Sequence, residues 1–409
     1  MNIRLTNVIC FLVVVCFAGC HTYSEEDTGR VPFTINPLGR HLDIPVLLED
    51  SIATNLMFDT GAQVAGYFLE LDSTLCVEHS SIVGDLCAED TIMTGVAWTP
   101  SRTPGIVYNK KLKTSLGNHS FTYTGMIVSD LKTYMGEKNY EGIFNIPATD
   151  TTHVWELNFE HNYLKIHSGD EFIMPDNCFV TPLIKAVYPF YFRLPLKIQT
   201  ASGDTLTMNH VYMIDTGMSD DICLMRHAEE FPFFDKQKDA VWLQTAYKYT
   251  RYYTVQGKLF NQMALDSLRI YTIGHKNDVK SEYLVGLNFL KRFNVFFDMK
   301  NQQIGLQPIA NFQRVVNPVR KRFHISFEPT QSGRILVSKV ADYKGNYYQA
   351  AGFQEGDEVI SVNGKIFNKL TSGDEKELSE QDTLYYDILR NGQQLKLTVH
   401  VDRNEEQGD

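Results

Sequence analysis

The chain has 409 residues, of which 43% are hydrophobic and 21% charged, with a formal net charge of -11. That length supports two or three domains with cores of their own, and the composition is that of a folded chain rather than a disordered one. The acidic balance argues against a phosphate-tracking surface, because nucleic-acid binders carry a basic face that displaces counterions, and nucleic acid is not expected as a partner.

In chain order the first element is a secretory leader. Arg4 supplies its positive start, and Val8 to Phe17 form an apolar run too short to span a bilayer as a helix. Phe17-Ala18-Gly19-Cys20 then sets small residues before a cysteine, which resembles a bacterial lipobox. The resemblance implies that Cys20 carries lipid and becomes the mature N-terminus, that the membrane is a partner through this anchor, and, with His21 rather than Asp following, that the protein sits in the cell envelope at the outer membrane. Residues 1–19 are read as the leader and 20–30 as a linker holding the acidic run Glu25, Glu26 and Asp27.

Of the seven cysteines, Cys10 and Cys16 leave with the leader and Cys20 is the lipidation site, so Cys76, Cys87, Cys178 and Cys223 remain. Cys76 with Cys87 closes a short loop and is the one bridge expected, while Cys178 and Cys223 lie in apolar, strand-like runs and read as buried thiols. The twelve histidines include no HExxH or similar pair at ligand spacing, so neither a metal nor another cofactor is expected.

From about Val31 the sequence repeats itself. LDIPVLL (Leu42 to Leu48) precedes LMFDTGA ending at Ala62, and FRLPLKI (Phe192 to Ile198) precedes YMIDTGM ending at Met218. Each copy predicts an alternating strand with a central proline, then a second apolar strand entering Asp-Thr-Gly. Further on, EGIFNIP leads through VWELNFEHNYLKI, and YLVGLNFL leads through FNVFFDMKNQQIGL. Both tails predict an apolar turn, a short helix and a hairpin. Short β-branched and aromatic runs broken by Gly, Asn, Asp and Pro make the whole mainly β, with one lobe over 31–175 and another over 176–312.

One Asp-Thr-Gly is weak evidence of chemistry, but two at matching places in a repeat are much stronger. Carboxylates held close together cannot both ionise easily, so one keeps a proton while the other polarises a water for attack on a peptide carbonyl. The apolar Met57, Phe58, Met213 and Ile214 are expected to bury the strands that carry the acids. On these motifs the two lobes resemble a pepsin-like or retroviral-type aspartic protease, which implies a bilobal double-β-barrel fold and a protein or peptide substrate in the cleft between lobes. Carried over residue by residue, the resemblance makes Asp59 and Asp215 catalytic, supported by Thr60, Gly61, Thr216 and Gly217, with Thr60 and Thr216 bonding across the lobe junction. The family's apolar-apolar-Gly support maps onto Leu284, Val285 and Gly286, and onto Ile143, Phe144 and Asn145 in the first half, where Asn stands for Gly as a residue tolerant of left-handed backbone. The flap hairpin maps onto Thr91 to Val107 with Trp98 near its tip. Where many members carry Ser or Thr after the motif, this chain has Ala62 and Met218, so a hydrogen bond to the ionised acid is lost and activity at less acidic pH is expected.

After Pro318 the pattern changes. RFHISFEP, GRILVSKV and AAGFQEGDEVISVNGK resemble a PDZ domain over 320–403, and Asn391-Gly392 marks a strong hairpin turn. That resemblance places the peptide-binding loop at His324, Ile325, Ser326 and Phe327, with two of the family's glycines replaced, and a peptide ligand for the PDZ domain as a second partner. The function expected is an aspartic endopeptidase whose PDZ domain binds peptides or regulates access. The alternative, prompted by Met218, is a catalytically inactive pseudoprotease acting as an envelope peptide-binding or scaffold lipoprotein.

Overall fold

The computed structural model describes residues 29–36, 41–62, 69–82, 84, 90–94, 103–135, 141–147, 149–185, 190–225, 228–245, 248–273, 283–314 and 321–403. The leader, Cys20 and Trp98 lie outside the described residues. Among the described residues no helix is long and apolar enough to cross a membrane.

The described residues are mainly β, in sheets of thirteen, ten and six strands. Alternation in the sequence becomes alternation of burial. Leu42–Leu48 and Phe190–Gln199 each bury every second side chain, and Pro45 falls on an exposed position of the first.

The sequence repeat is also a repeat of topology. Ile52–Phe58, which leads into Asp59, runs parallel to Gly142–Phe144. That strand pairs antiparallel with Leu69–Asp72, which runs parallel to Met126–Ser129, which pairs antiparallel with Thr103–Tyr108, and this last pairs with Asp90–Thr94. In the second half Thr205–Asp215, Tyr283–Gly286, Ile222–Met225, Met263–Ile273, Lys248–Leu259 and Val241–Thr245 follow the same order with the same senses. The hairpin Asp90–Thr94 with Thr103–Tyr108 therefore has a counterpart in Val241–Thr245 with Lys248–Leu259.

The two tails join the halves. Hairpins His153–Asn158 with Tyr163–Ser168 and Phe293–Asp298 with Gln303–Pro308 meet along their inner strands, Trp155 opposite Phe297 and Glu156 opposite Phe296. Arg30–Pro32 and Phe179–Lys185 add the outer strands, so six strands form one layer under both halves. A single buried cluster runs through the junction, with Phe58 stacked on Trp155 at 6.3 Å and Phe190 against Phe297 at 6.0 Å.

Two local expectations need correction. The second tail contains the short helix, Leu287–Leu290, but the first has none among its described residues. Cys76 is a buried free thiol, its pKa pushed up to about 12 by burial, so the expected bridge to Cys87 is not made; Cys87 itself lies outside the described residues. Cys223 is buried as expected, whereas Cys178 is only half-buried.

Beyond residue 320, Ile325–Pro329, Ile335–Val340, Glu358–Val362, Lys365–Ile366, Thr383–Arg390 and Gln393–His400 form the six-stranded sheet. It has a core of its own, including Val337, Phe353, Val359, Ile388 and Val399. The helix Ser372–Ser379 starts on a capping box between Thr371 and Asp374, and Asn391 and Gly392 both take left-handed backbone, as their hairpin turn requires. This sheet touches the larger one at a strand edge. Gln244 N–H donates to Lys321 O at 2.8 Å, Phe323 N–H donates to Trp242 O at 3.2 Å, and the Phe323 ring packs on Tyr249 at 4.8 Å.

Candidate active site

The parallel pairings set the two acids in equivalent places. Asp59 N–H donates to Phe144 O at 3.0 Å, and Asp215 lies in register with Gly286. Phe58 and Ile214, immediately before the acids, are fully buried, and Met57 and Met213 nearly so, which fixes the strand ends. Each loop then closes with the same turn: Ala62 N–H donates to Asp59 O and Met218 N–H to Asp215 O, both at 3.2 Å.

The two loops are locked by their threonines. Thr60 Oγ1 donates to Ile214 O at 2.9 Å and accepts from Thr216 N–H at 3.1 Å, while Thr216 Oγ1 donates to Phe58 O at 2.8 Å and accepts from Thr60 N–H at 3.0 Å. Both threonines are fully buried, so each hydroxyl satisfies a donor and an acceptor that water cannot reach.

The glycines are needed for space rather than for a turn. Neither Gly61 nor Gly217 has left-handed backbone. A Cβ on Gly61 would lie 2.5 Å from Asp215 Cγ, and one on Gly217 would lie 2.4 Å from Asp59 Oδ2, so each half's glycine makes room for the other half's carboxylate. The left-handed backbone expected at the supporting triplets is not found. Gly286 is extended, at φ -106°, and a Cβ there would meet Asp220 O at 2.4 Å. Asn145 has no left-handed backbone either. It is buried, its carbonyl accepts from Tyr123 Oη at 2.7 Å, and its Oδ1 accepts from Ile146 N–H at 2.7 Å.

Asp59 and Asp215 are within hydrogen-bond reach of each other. Asp59 Oδ1 accepts from Gly61 N–H at 2.8 Å and Ala62 N–H at 3.0 Å. Burial raises the Asp59 carboxyl above its ordinary range, and these amides together with Gly217 N–H pull it back. Burial raises Asp215 further, well above its ordinary range, and the neighbouring charge of Asp59 adds to the rise. Both carboxyls are raised by burial, and two acids this close are expected to titrate as one unit that keeps a proton longer than a free carboxyl.

Ala62 packs with Met57, Leu131 and Ile143, and Met218 turns toward Met213, Cys223 and Leu284, so neither position offers the acids a hydroxyl. The expected flap is a hairpin, with Asp90 opposite Val107 and Thr94 opposite Thr103, and its tip with Trp98 lies outside the described residues. His324, Ile325, Ser326 and Phe327 are far along the chain from the acids and join Lys321, Arg322, Phe323, Tyr347, Tyr348 and Gln244 around a separate cavity of about 480 Å³. Ile325–Pro329 is the edge strand of its sheet, and His324 stays neutral because burial lowers its pKa to about 4.

Sequence reasoning missed Asp221 and its arginine partners Arg292 and Arg314, whose spacing carries no local signal. It also missed the contact of His210 with Glu230, which accepts from Tyr283 Oη at 2.7 Å; with Glu229 these make the one group of three His and carboxylate side chains at ligand spacing among the described residues. No model of a known protein family matches the chain, and no characterised protein matches its sequence.

Proposed function

We propose that the protein is an aspartic endopeptidase. The observation that carries this reading is the pair of facing carboxyls, Asp59 and Asp215, each against the other half's glycine, on topologically equivalent strand ends locked by Thr60 and Thr216. In this reading a water between the acids loses a proton to Asp59 as its oxygen attacks the peptide carbonyl, and Asp215 gives its proton to the carbonyl oxygen. Collapse of the tetrahedral intermediate breaks the C–N bond, the departing nitrogen takes the proton from Asp59, and the hydroxyl proton returns to Asp215. The substrate is a protein or peptide lying under the hairpin Asp90–Thr94 with Thr103–Tyr108, and no cofactor takes part.

The segment 320–403 is, in the same proposal, a PDZ domain that recruits peptides at the edge strand Ile325–Pro329 or regulates access. Cys20 anchors the mature protein by lipid in the bacterial envelope at the outer membrane. Mass spectrometry of the membrane-extracted protein is expected to find an acylated N-terminal cysteine, and a free N-terminus at another residue would refute the anchor.

The test is cleavage of a mixed peptide library by the purified mature chain across pH. The rate is expected to follow a bell, rising as the first acid of the pair ionises and falling as the second loses its proton. Both acids are raised in the folded state from an ordinary value of 3.8, so both limbs are expected above that pH. An acid limb below it would overturn the assignment. A chain that cleaves nothing but retains peptides would instead support the pseudoprotease reading, which the apolar setting of Met218 favours.

A further inference from the structure

The turn beneath Asp215 is tied to the strand end that supports it and, through Asp221, to a residue outside the repeat. Asp221 O accepts from Gly286 N–H at 2.8 Å, and Gly286 is the residue in register with Asp215. One residue on, Leu287 N–H donates to Met218 O at 2.7 Å. The seven residues from Asp215 to Asp221 are thus tied, at Met218 and at Asp221, to the strand end and helix start at Gly286 and Leu287.

The Asp221 side chain is fully buried, where an unpaired carboxylate is costly. Its Oδ2 accepts from Arg314 Nη1 at 2.6 Å and from Arg269 N–H at 2.9 Å. Arg314 also donates to Ser267 O. Arg292 stands on the other side, its Nη2 3.7 Å from Asp221 Oδ1. Those two atoms lack a hydrogen-bond partner but face each other, so a small side-chain rotation or one bridging water pairs them. The cluster needs no outside anion.

Arg314 belongs to neither repeat. It lies in the strap 309–314 that follows the last strand of the repeat, Gln303–Pro308. The strap lies on the residues before that hairpin: Ile309 N–H donates to Arg292 O at 3.1 Å, Gln313 O accepts from Lys291 Nζ at 3.1 Å, and the Phe312 ring lies 4.0 Å from the Arg292 guanidinium. Beyond it, residues 321–323 pair with the edge strand Val241–Thr245. The strap therefore brings Arg314 to Asp221, at the far end of the Asp215 loop.

We propose that Asp221 is a positioning residue for Asp215 and that Arg314, through Asp221, makes the strap part of what holds the second acid in place. Neither touches the reacting atoms. Their work is to keep the Asp215 carboxyl at the distance from Asp59 at which the two share a proton, and a small misplacement there is costly to rate. The role rests on the proposed peptidase activity, but the placement itself can be tested without activity.

The experiment uses the full mature chain with Arg314→Ala, Arg314→Lys and Asp221→Asn, read in two ways. Amide hydrogen exchange is expected to rise in Arg314→Ala over Met213 to Asp221 and Tyr283 to Leu287, to stay unchanged over Met57 to Ala62, and to return most of the way in Arg314→Lys. Cleavage by Arg314→Ala is expected to show kcat lowered about tenfold or more with KM within about twofold, again recovered in part by Lys. Asp221→Asn is expected to resemble Arg314→Ala, and combining the two to add little. Unchanged exchange at the Asp215 loop overturns the proposal, as does exchange that rises uniformly over both loops. If the wild type cleaves nothing, the peptidase reading fails and exchange alone decides the positioning. If exchange shifts as expected while kcat does not move, the tie exists but does not position the acid, and the proposal is overturned.

Discussion

Asp59→Asn and Asp215→Asn are each expected to abolish peptide cleavage, by about a thousandfold or more, with the fold intact. Asn keeps the shape of the carboxyl and the acceptor oxygen for the loop amides, but it can neither ionise nor pass a proton on. Because the two acids act as one unit on one proton, the double replacement is expected to be no worse than either single one. The stability effect has a definite sign. Asp215 titrates in the folded state well above its ordinary value of 3.8. At low pH both states hold the proton and there is no difference. As pH rises past the ordinary value, the unfolded chain releases its proton while the folded one keeps it, so stability falls until the folded pKa is passed. Asp215→Asn removes that loss, and at neutral pH it is expected to melt higher than the wild type, with the gap closing below about pH 4. A folded Asn variant that retains most of the wild-type rate would remove the aspartic mechanism; a melting gap that stays constant with pH would remove the assigned shift.

Thr216→Val is expected to weaken the junction of the halves by roughly 2–5 kcal/mol, because it leaves the buried Thr60 N–H and Phe58 O each without a partner. Thr60→Val orphans the corresponding pair, Thr216 N–H and Ile214 O. The hydroxyl rather than the methyl is the point, so Thr216→Ser is expected to stay close to wild type in melting temperature while Thr216→Val falls by roughly 5 °C or more. Activity is expected to fall with it, since the carboxyls keep their separation only while the loops are locked. Equal melting of the Ser and Val variants would show that the bonds across the junction contribute nothing.

Much of the fold was written locally. Alternation in LDIPVLL and FRLPLKI set which face of each strand is buried, Asn391-Gly392 set a hairpin, and the two Asp-Thr-Gly motifs, each entered by buried apolar residues, marked the acids. The resemblance anticipated the bond between Thr60 and Thr216, yet no local rule brings together residues 156 positions apart.

The sequence by itself determined the strands, their buried faces, the repeat and the identity of the two acids, because these depend on side-chain periodicity and on chemistry within a few residues. Only the tertiary structure decided that the halves share a six-stranded layer, that Gly61 and Gly217 are required by the opposite carboxylate rather than by their own backbone, and that Arg314 reaches Asp221 from 93 positions away. The physical reason is the same in each case. Space beside a Cα, desolvation of a carboxyl and the partner of a buried charge are set by whatever segment the fold packs there, and that segment is distant in sequence.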